Sequence, residues 1–230
     1  MSFLSPVVLT KDSELREFQE HVKQQINIEF PLQYFKQGFI RAFKNSKGKM
    51  VGGYALILKG PFRTLESIKC HKAASSLDPA ETMEVTALWL DRSLRSGISS
   101  TQFWLKFSRD VATRPGKKYC VYAYDLHNEK LKKLYSMASP TVLYRGETKQ
   151  LEGMTSSALE SIEVASSRFI GRVPLYAIPS FVLKSFSRNS KFYFKYAKAR
   201  QIEIPATIQE FSTPPDSSMG HESLESQARL

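Results

Sequence analysis

The sequence predicts an α/β fold on three observations. Two apolar runs, residues 84–90 and 119–125, are each followed by a turn and an amphipathic helix. A hairpin precedes them, with arms at 39–43 and 50–58 joined by Asn45, Ser46, Lys47 and Gly48. A helix with a 3.6-residue apolar period stands before the hairpin. Strands that alternate with amphipathic helices bury their apolar faces by layering helices on a sheet.

The elements follow in order. Residues 6–10 form a short strand. Asp12 or Ser13 then caps a helix that runs through Leu15, Phe18, Val22 and Ile26. Pro31 interrupts it, and 32–35 add a further helical turn. After the hairpin, residues 60–80 are mixed and polar and read as a long connection. Strand 84–90 leads into a helix over 98–112. Its expected buried arc is Ile98, Thr101, Trp104, Leu105, Ser108, Val111 and Ala112, with Phe107 at the edge and Gln102, Lys106, Arg109 and Asp110 opposite. Trp104 and Phe107 read as core residues rather than ligand-stacking groups. Arg114, Pro115, Gly116 and Lys117 end this helix. Strand 119–125 and a helix over 128–137 come next. Residues 142–144 read as a strand, and 161–170 contain another.

From Val173 onward the character changes to prolines, clustered aromatics and basic residues. Residues 205–230 are rich in Ser, Pro and Glu and are expected to be disordered. The expected organisation is a core domain over 1–167, a basic aromatic extension over 168–204, and a tail over 205–230. No internal repeat is present.

A chain of 230 residues with 42% hydrophobic content supports one domain with a substantial core plus appendages. No apolar run is long enough to span a bilayer, and no secretory signal opens the chain. Cys70 and Cys120 do not make a disulfide framework, so a cytoplasmic, reducing location is expected. Cys120 lies in an apolar strand and reads as a small buried hydrophobe. His21, His71, His127 and His221 have no metal-ligand spacing. No nucleophile elbow, Walker loop or zinc pattern occurs.

The net charge of +11 points to anionic partners. It is uneven: residues 168–200 carry Arg168, Arg172, Lys184, Arg188, Lys191, Lys195, Lys198 and Arg200 and no acid. Three readings of that run stay open. Its aromatics and bases can stack on and neutralise nucleic acid, it can rest on an anionic membrane surface, or its aromatics can pack on the core with the lysines in water.

Two patterns carry chemistry. Asn128, Leu131, Leu134 and Tyr135 share one side of the helix that follows strand 119–125. Asn128 is a good N-cap there. Upstream, Gly97 opens a helix amid Arg92, Arg95, Ser96, Ser99 and Ser100. Backbone N–H groups at a helix N-terminus bind anions, and glycine allows close approach. Alone, the Gly97 segment also reads as an ordinary turn, and Tyr135 as a core tyrosine.

Two strand–turn–helix units of this kind, in this order, resemble the GNAT superfamily of acyl-CoA-dependent N-acyltransferases over roughly residues 5–147. The resemblance implies a mixed central sheet flanked by helices and a co-substrate that is acetyl-CoA or another acyl-CoA. It implies a pyrophosphate loop at Arg95, Ser96, Gly97, Ile98, Ser99 and Ser100. The loop is one residue short between Arg95 and Gly97, and Ser99 stands where a glycine or alanine is usual. Asn128 would face the pantetheine arm, and Tyr135 would protonate the leaving thiolate. Ser136, Met137, Ala138, Ser139 and Pro140 replace the Gly-Phe usual after that tyrosine. The backbone of Leu88, Trp89 and Leu90 would hold the pantetheine and polarise the thioester carbonyl. Glu84 would deprotonate the incoming amine, directly or through water, with Glu81 as a competitor; a glutamate at a strand edge is otherwise simply solvated. His127 adjoins Asn128 and is a further lining candidate.

The strand beginning at Glu84 also resembles that of acyl-homoserine lactone synthases and long-chain N-acyl amino acid synthases, with Ala87 where those carry an arginine. Their donor is often acyl carrier protein, an acidic partner that a basic face would steer. The acceptor is expected to be a primary amine on a small molecule or a protein. The reading from another class is a non-catalytic module of the same fold that grips nucleic acid or an anionic surface through 168–200.

Overall fold

The computed structural model describes residues 4–68, 75–95, 97–154 and 159–174. Strand β1 (Ser5–Leu9) is followed by helices α1 (Asp12–Ile26) and α2 (Leu32–Lys36). Strands β2 (Gly38–Lys44) and β3 (Met50–Ile57) form the expected hairpin. Helix α3 (Arg63–Glu66) lies within what the sequence presented as a plain connection. Strand β4 (Thr82–Leu90), a 3₁₀ turn (Arg92–Leu94) and helix α4 (Gly97–Ala112) come next. Strand β5 (Tyr119–Asp125) and helix α5 (Glu129–Tyr135) precede β6 (Thr141–Glu147) and β7 (Leu159–Ser166). β7 includes the strand expected within 161–170, and the chain leaves it directly into helix over 167–174.

All seven strands form one sheet in the order β1-β2-β3-β4-β5-β7-β6. β1 to β4 run antiparallel, β4 and β5 pair in parallel, and β7 inserts antiparallel between β5 and β6. The parallel step needs a crossover, and α4 supplies it.

Helices cover both faces. On one, Leu15, Phe18, Val22, Tyr34 and Phe35 of α1 and α2 pack on Ile40, Ala42, Ala55, Ile57 and Trp89. Burying each of the α1 anchors contributes about 1.5–3 kcal/mol. On the other, Phe103, Phe107 and Val111 of α4 pack on Phe43, Tyr54, Leu56, Met83, Val85, Cys120 and Tyr122. β3 is buried along its whole length because both layers need it. Gly53 is required there: a Cβ would stand 2.5 Å from the Phe18 ring. Cys120 is a free, fully buried thiol, pushed up to about 12 by burial, as the hydrophobe reading anticipates.

Two expectations need correction. Neither Asp12 nor Ser13 caps α1. Lys11 holds the cap position, and the Glu14 carboxylate reaches back to accept from the N–H groups of Thr10 and Lys11 (both 3.3 Å). Asp12 instead pairs with Lys36 at 2.7 Å. The buried face of α4 is also rotated from the predicted arc. Phe103 and Asp110 are buried, whereas Ile98 and Leu105 are exposed.

The reason for that rotation is polar. Asp110 accepts from Arg41 Nε of β2 and, at 2.7 Å, from the Tyr54 hydroxyl of β3. Arg41 and Asp110 are 7% and 4% exposed, so neither charge could stand unpaired. Periodicity counts Asp110 as polar and turns it outward; the arginine beneath it turns it inward.

Helix 167–174 packs on α4: Ile170 joins the core, and a Cβ on Gly171 would collide with Ala112. The start of the expected basic extension is therefore docked on the domain, with Arg168 and Arg172 exposed. Residues 175–230, which carry most of the basic run and the whole tail, lie outside the described residues, as does Cys70.

Asp110→Ala should lower the free energy of unfolding by about 3–5 kcal/mol, because it leaves the Arg41 guanidinium buried without its partner. Denaturant unfolding of both proteins measures this.

Candidate active site

The site is built where two parallel strands stop pairing. Thr82, Met83 and Glu84 of β4 pair with Tyr119, Cys120 and Val121 of β5, and the ladder ends there. β5 continues to Asp125 against β7, and β4 continues to Leu90 against β3. Beyond Glu84 the β5-facing edge of β4 thus has no strand opposite it among the described residues.

A bulge accompanies the parting. Ala55 pairs with Thr86 and Gly53 with Trp89, so Tyr54 alone opposes both Ala87 and Leu88. Ala87 has φ of 50°, a left-handed backbone that alanine rarely adopts. Bulges bend and overtwist the strand that carries them. The kink lies at the start of the Leu88, Trp89 and Leu90 segment expected to hold a pantetheine arm. The Trp89 side chain turns to the α1 face and lies near-parallel to His21 at 5.6 Å, so only its backbone faces the gap.

Both flanking helices begin at the carboxyl ends of these strands, the usual ligand position in an open α/β sheet. α4 starts at Gly97, as the glycine turn predicts. Asp91 holds the turn before it, accepting from the Ser93 N–H and hydroxyl at 2.9 and 2.8 Å. These bonds pull its carboxyl below the usual range. Arg95 donates from Nε to the Leu90 carbonyl at 2.9 Å, which ties the turn to the end of β4 and leaves the rest of the guanidinium outward. Ile98 is exposed, and Ser99 and Ser100 are half-buried. Ser96 lies outside the described residues.

α5 is capped by Asn128, whose Oδ1 accepts from the Leu131 N–H at 3.1 Å. Leu131 and Tyr135 pack into the apolar layer they share with α4. The Tyr135 ring lies 4.7 Å from Tyr122 and 5.5 Å from Tyr124, on the part of β5 past the ladder's end. Burial, and then the Glu163 carboxylate nearby, push its hydroxyl up to about 12. At neutral pH it is a proton donor.

Glu84 marks the vertex of the gap and is not a solvated strand-edge residue. It is 1% exposed, and its Oε2 accepts from the Tyr34 hydroxyl at 2.7 Å and the Thr64 N–H at 3.1 Å. Burial raises its pKa and those bonds oppose the rise. Glu84 belongs to the α1–α2 face and Tyr135 to the α4 face, so a group held in the gap is flanked by a carboxylate on one side and a phenol on the other. Glu81 is drawn off to Lys118 at 2.5 Å.

Around the Asn128 cap lies an open concavity of ≈ 380 Å³ lined by Asp125, His127, Asn128, Glu129 and Lys130. Its two carboxylates suit it poorly to a pyrophosphate. Among the described residues no group of three or more His, Cys, Asp or Glu is arranged to hold a metal ion.

The structure adds residues that sequence reasoning passed over. Tyr122 and Tyr124 share a face with Cys120 by simple alternation, which was visible. Their neighbour Glu163 becomes one only through the pairing of β5 with β7, which puts Tyr122 opposite Glu163. Nothing local marks the bulge at Ala87.

No family model matches this sequence, and no curated protein is similar to it. Solved structures are similar in fold. FeeM, an N-acyl amino acid synthase from uncultured soil microbes, superposes with a TM-score of 0.51 at 12% identity, over 70% of this chain and 91% of that one. A GCN5-related N-acetyltransferase from Brucella melitensis superposes with a TM-score of 0.50 at 12% identity, over 91% of this chain and 90% of that one. The mixed seven-stranded sheet and its helices are those the resemblance implies: this chain has the GNAT acyltransferase fold.

Proposed function

We propose that this protein is an N-acyltransferase that moves an acyl group, most simply acetyl, from an acyl-CoA to a primary amine by direct attack in a ternary complex. The observation that carries this reading is the parting of β4 from β5 after Glu84, bordered by the Gly97 helix start on one strand and by Tyr135 on the other. An extended pantetheine arm can take the place of the missing strand along Leu88, Trp89 and Leu90. Its pyrophosphate then meets Gly97, Ile98, Ser99 and Ser100 at the positive end of α4, with Arg95 alongside. Asn128 keeps an amide donor beside the arm while its oxygen caps α5.

In the reaction the amine nitrogen bonds to the thioester carbon, the C–S bond breaks, and its electron pair goes to sulfur. The Tyr135 O–H gives its proton to the thiolate, and the nitrogen loses one toward Glu84. The two faces of the gap separate these proton transfers. Because Tyr34 and Thr64 enclose the Glu84 carboxylate, that proton travels through the Tyr34 hydroxyl or a water rather than directly. Holding both reactants in one gap supplies much of the acceleration.

A second reading rests on the fold shared with FeeM, described as an N-acyl amino acid synthase. The donor would then carry a long acyl chain, delivered by acyl carrier protein. Thermal shifts with acetyl-CoA and long-chain acyl-CoA separate the two readings, since the better ligand stabilises more. The nucleic-acid or anionic-surface reading rests on 168–200, which lies mostly outside the described residues. Oligonucleotides in the same screen test it. No described helix is long and apolar enough to cross a membrane.

Tyr135→Phe should lower turnover by about 100-fold or more with the acyl-CoA affinity unchanged. Steady-state thiol release with a panel of primary amines reads this. Unchanged turnover in a folded variant removes Tyr135 from the chemistry.

Calorimetry with coenzyme A tests the loop. Gly97→Val should cost at least about 10-fold in affinity because a branched side chain blocks the backbone's approach. Arg95→Ala should cost about 2- to 5-fold, the worth of a solvated charge contact. Equal affinity in Gly97→Val would reduce the loop to a turn.

Glu84 gives a pH signature. Its folded pKa is raised above the unfolded value of 4.5, so the folded state holds the extra proton and stability falls as pH rises through that window. Glu84→Gln keeps an acceptor oxygen for Tyr34 and Thr64. It should flatten that fall in unfolding experiments from pH 4 upward, while abolishing the amine-side proton transfer in the activity assay.

A further inference from the structure

Within the GNAT-fold layer shared by α4 and α5, two neighbouring buried polar atoms have no hydrogen-bond partner among the described residues. Tyr122 is 3% exposed, and its hydroxyl has no hydrogen-bond partner among the described residues. The side chains around it bond to one another through a single oxygen of Glu163. The Tyr124 hydroxyl donates to Glu163 Oε1 at 2.8 Å, and Ser161 Oγ donates to the same oxygen at 3.1 Å. Arg145 lies 3.9 Å from it. Glu163 stands directly opposite Tyr122 in the ladder, and its Oε2 is equally unpartnered, yet the two do not bond. A phenol so placed loses its hydration on folding without compensation, and such a group calls for an explanation, a catalytic role among them.

Its position says which ligand. Tyr122 is the first residue of β5 beyond the ladder with β4, immediately past the Glu84 and Val121 pair. Its ring is packed against Tyr135 at 4.7 Å. Two phenols thus stand together at the vertex of the gap, one of them with an idle donor. Burial and the adjacent Glu163 charge hold the Tyr122 hydroxyl far above its ordinary pKa, so it remains a donor at any working pH.

We propose that Tyr122 is a second donor-side residue of the site, its hydroxyl giving a hydrogen bond to the thioester group of the acyl donor beside Tyr135. This rests on the acyltransferase reading. Tyr122 gives no proton away. It orients the thioester, and the bond strengthens as charge builds there, while Tyr135 supplies the proton. Tyr124 and Glu163 are the frame on which the two rings are held.

The test uses the full chain and the variants Tyr122→Phe and Tyr124→Phe, with thermal unfolding and calorimetry against acetyl-CoA and desulfo-CoA, which lacks both sulfur and acyl group. Tyr122→Phe should leave the melting temperature without ligand unchanged or higher, since it deletes an unsatisfied hydroxyl. It should weaken acetyl-CoA by about 3- to 10-fold and leave desulfo-CoA unaffected. Tyr124→Phe, which removes a made bond, should lower the melting temperature and leave both affinities alone. A fall in melting temperature for Tyr122→Phe as large as that for Tyr124→Phe, with acetyl-CoA affinity intact, would show a structural bond to Glu163 and overturn the proposal. Equal loss for both ligands would overturn it too, since the contact would then lie away from the thioester. If the wild type binds neither ligand, the acyltransferase reading falls first and this proposal with it.

Discussion

Everything at the site follows from one interrupted ladder. A parallel strand pair normally continues as far as both strands run, because an unpaired backbone group out of water costs about as much as a lost hydrogen bond. Here β4 and β5 pair over three residues each and then part, while each goes on pairing with its other neighbour. The sheet stays whole on either side of the gap, and the gap itself keeps a row of amides and carbonyls suited to an extended ligand. The bulge that opposes Tyr54 with two β4 residues, and the left-handed backbone at Ala87, are the local strain that accompanies the parting.

Such a gap weakens the middle of the sheet, and buried polar ties brace it on both faces. On the α4 face, Asp110 joins helix to β2 and β3 through Arg41 and Tyr54. On the other, Glu84 joins β4 to α2 and α3 through Tyr34 and the Thr64 amide. The loop after β6 is bound to the α1–α2 linker by the Glu29 N–H to the Gly153 carbonyl at 3.0 Å, and Arg63 bonds the Glu152 carbonyl. Each tie crosses between elements distant in sequence. The Asp110 and Glu84 ties are buried, and satisfied buried pairs of that sort specify one arrangement more than they add stability, because desolvation offsets most of the attraction.

The phenols show the same economy of position. Tyr34 and Tyr124 are bound to carboxylates, and Tyr54 to the Arg41 and Asp110 pair. Tyr135 and Tyr122, the two at the gap, make no such tie to a carboxylate. The first three tie separate elements together, while Tyr122 and Tyr135 pack ring to ring on the stretch of β5 past its ladder with β4.

Local pattern by itself determined most elements: the α1 apolar period, the β2–β3 hairpin, β5 to the residue, the Asn128 cap and the Gly97 helix start all rest on residues near one another in the chain. It also picked out Asn128 and Tyr135, whose spacing places them along one side of a helix. What it could not supply were facts about partners. Asp110 lies inward only because Arg41 waits on β2, and α1 begins at Asp12 because Glu14 turns back on the chain. Glu84 is enclosed rather than solvated because Tyr34, fifty positions away, closes over it. Tyr122 faces Glu163 only through the β5–β7 register. The gap itself is a relation between two strands, and no single strand carries a mark of it. Periodicity reports which side of an element is apolar; it is silent on which charge, ring or strand edge the fold brings to meet that side, and those meetings made the site.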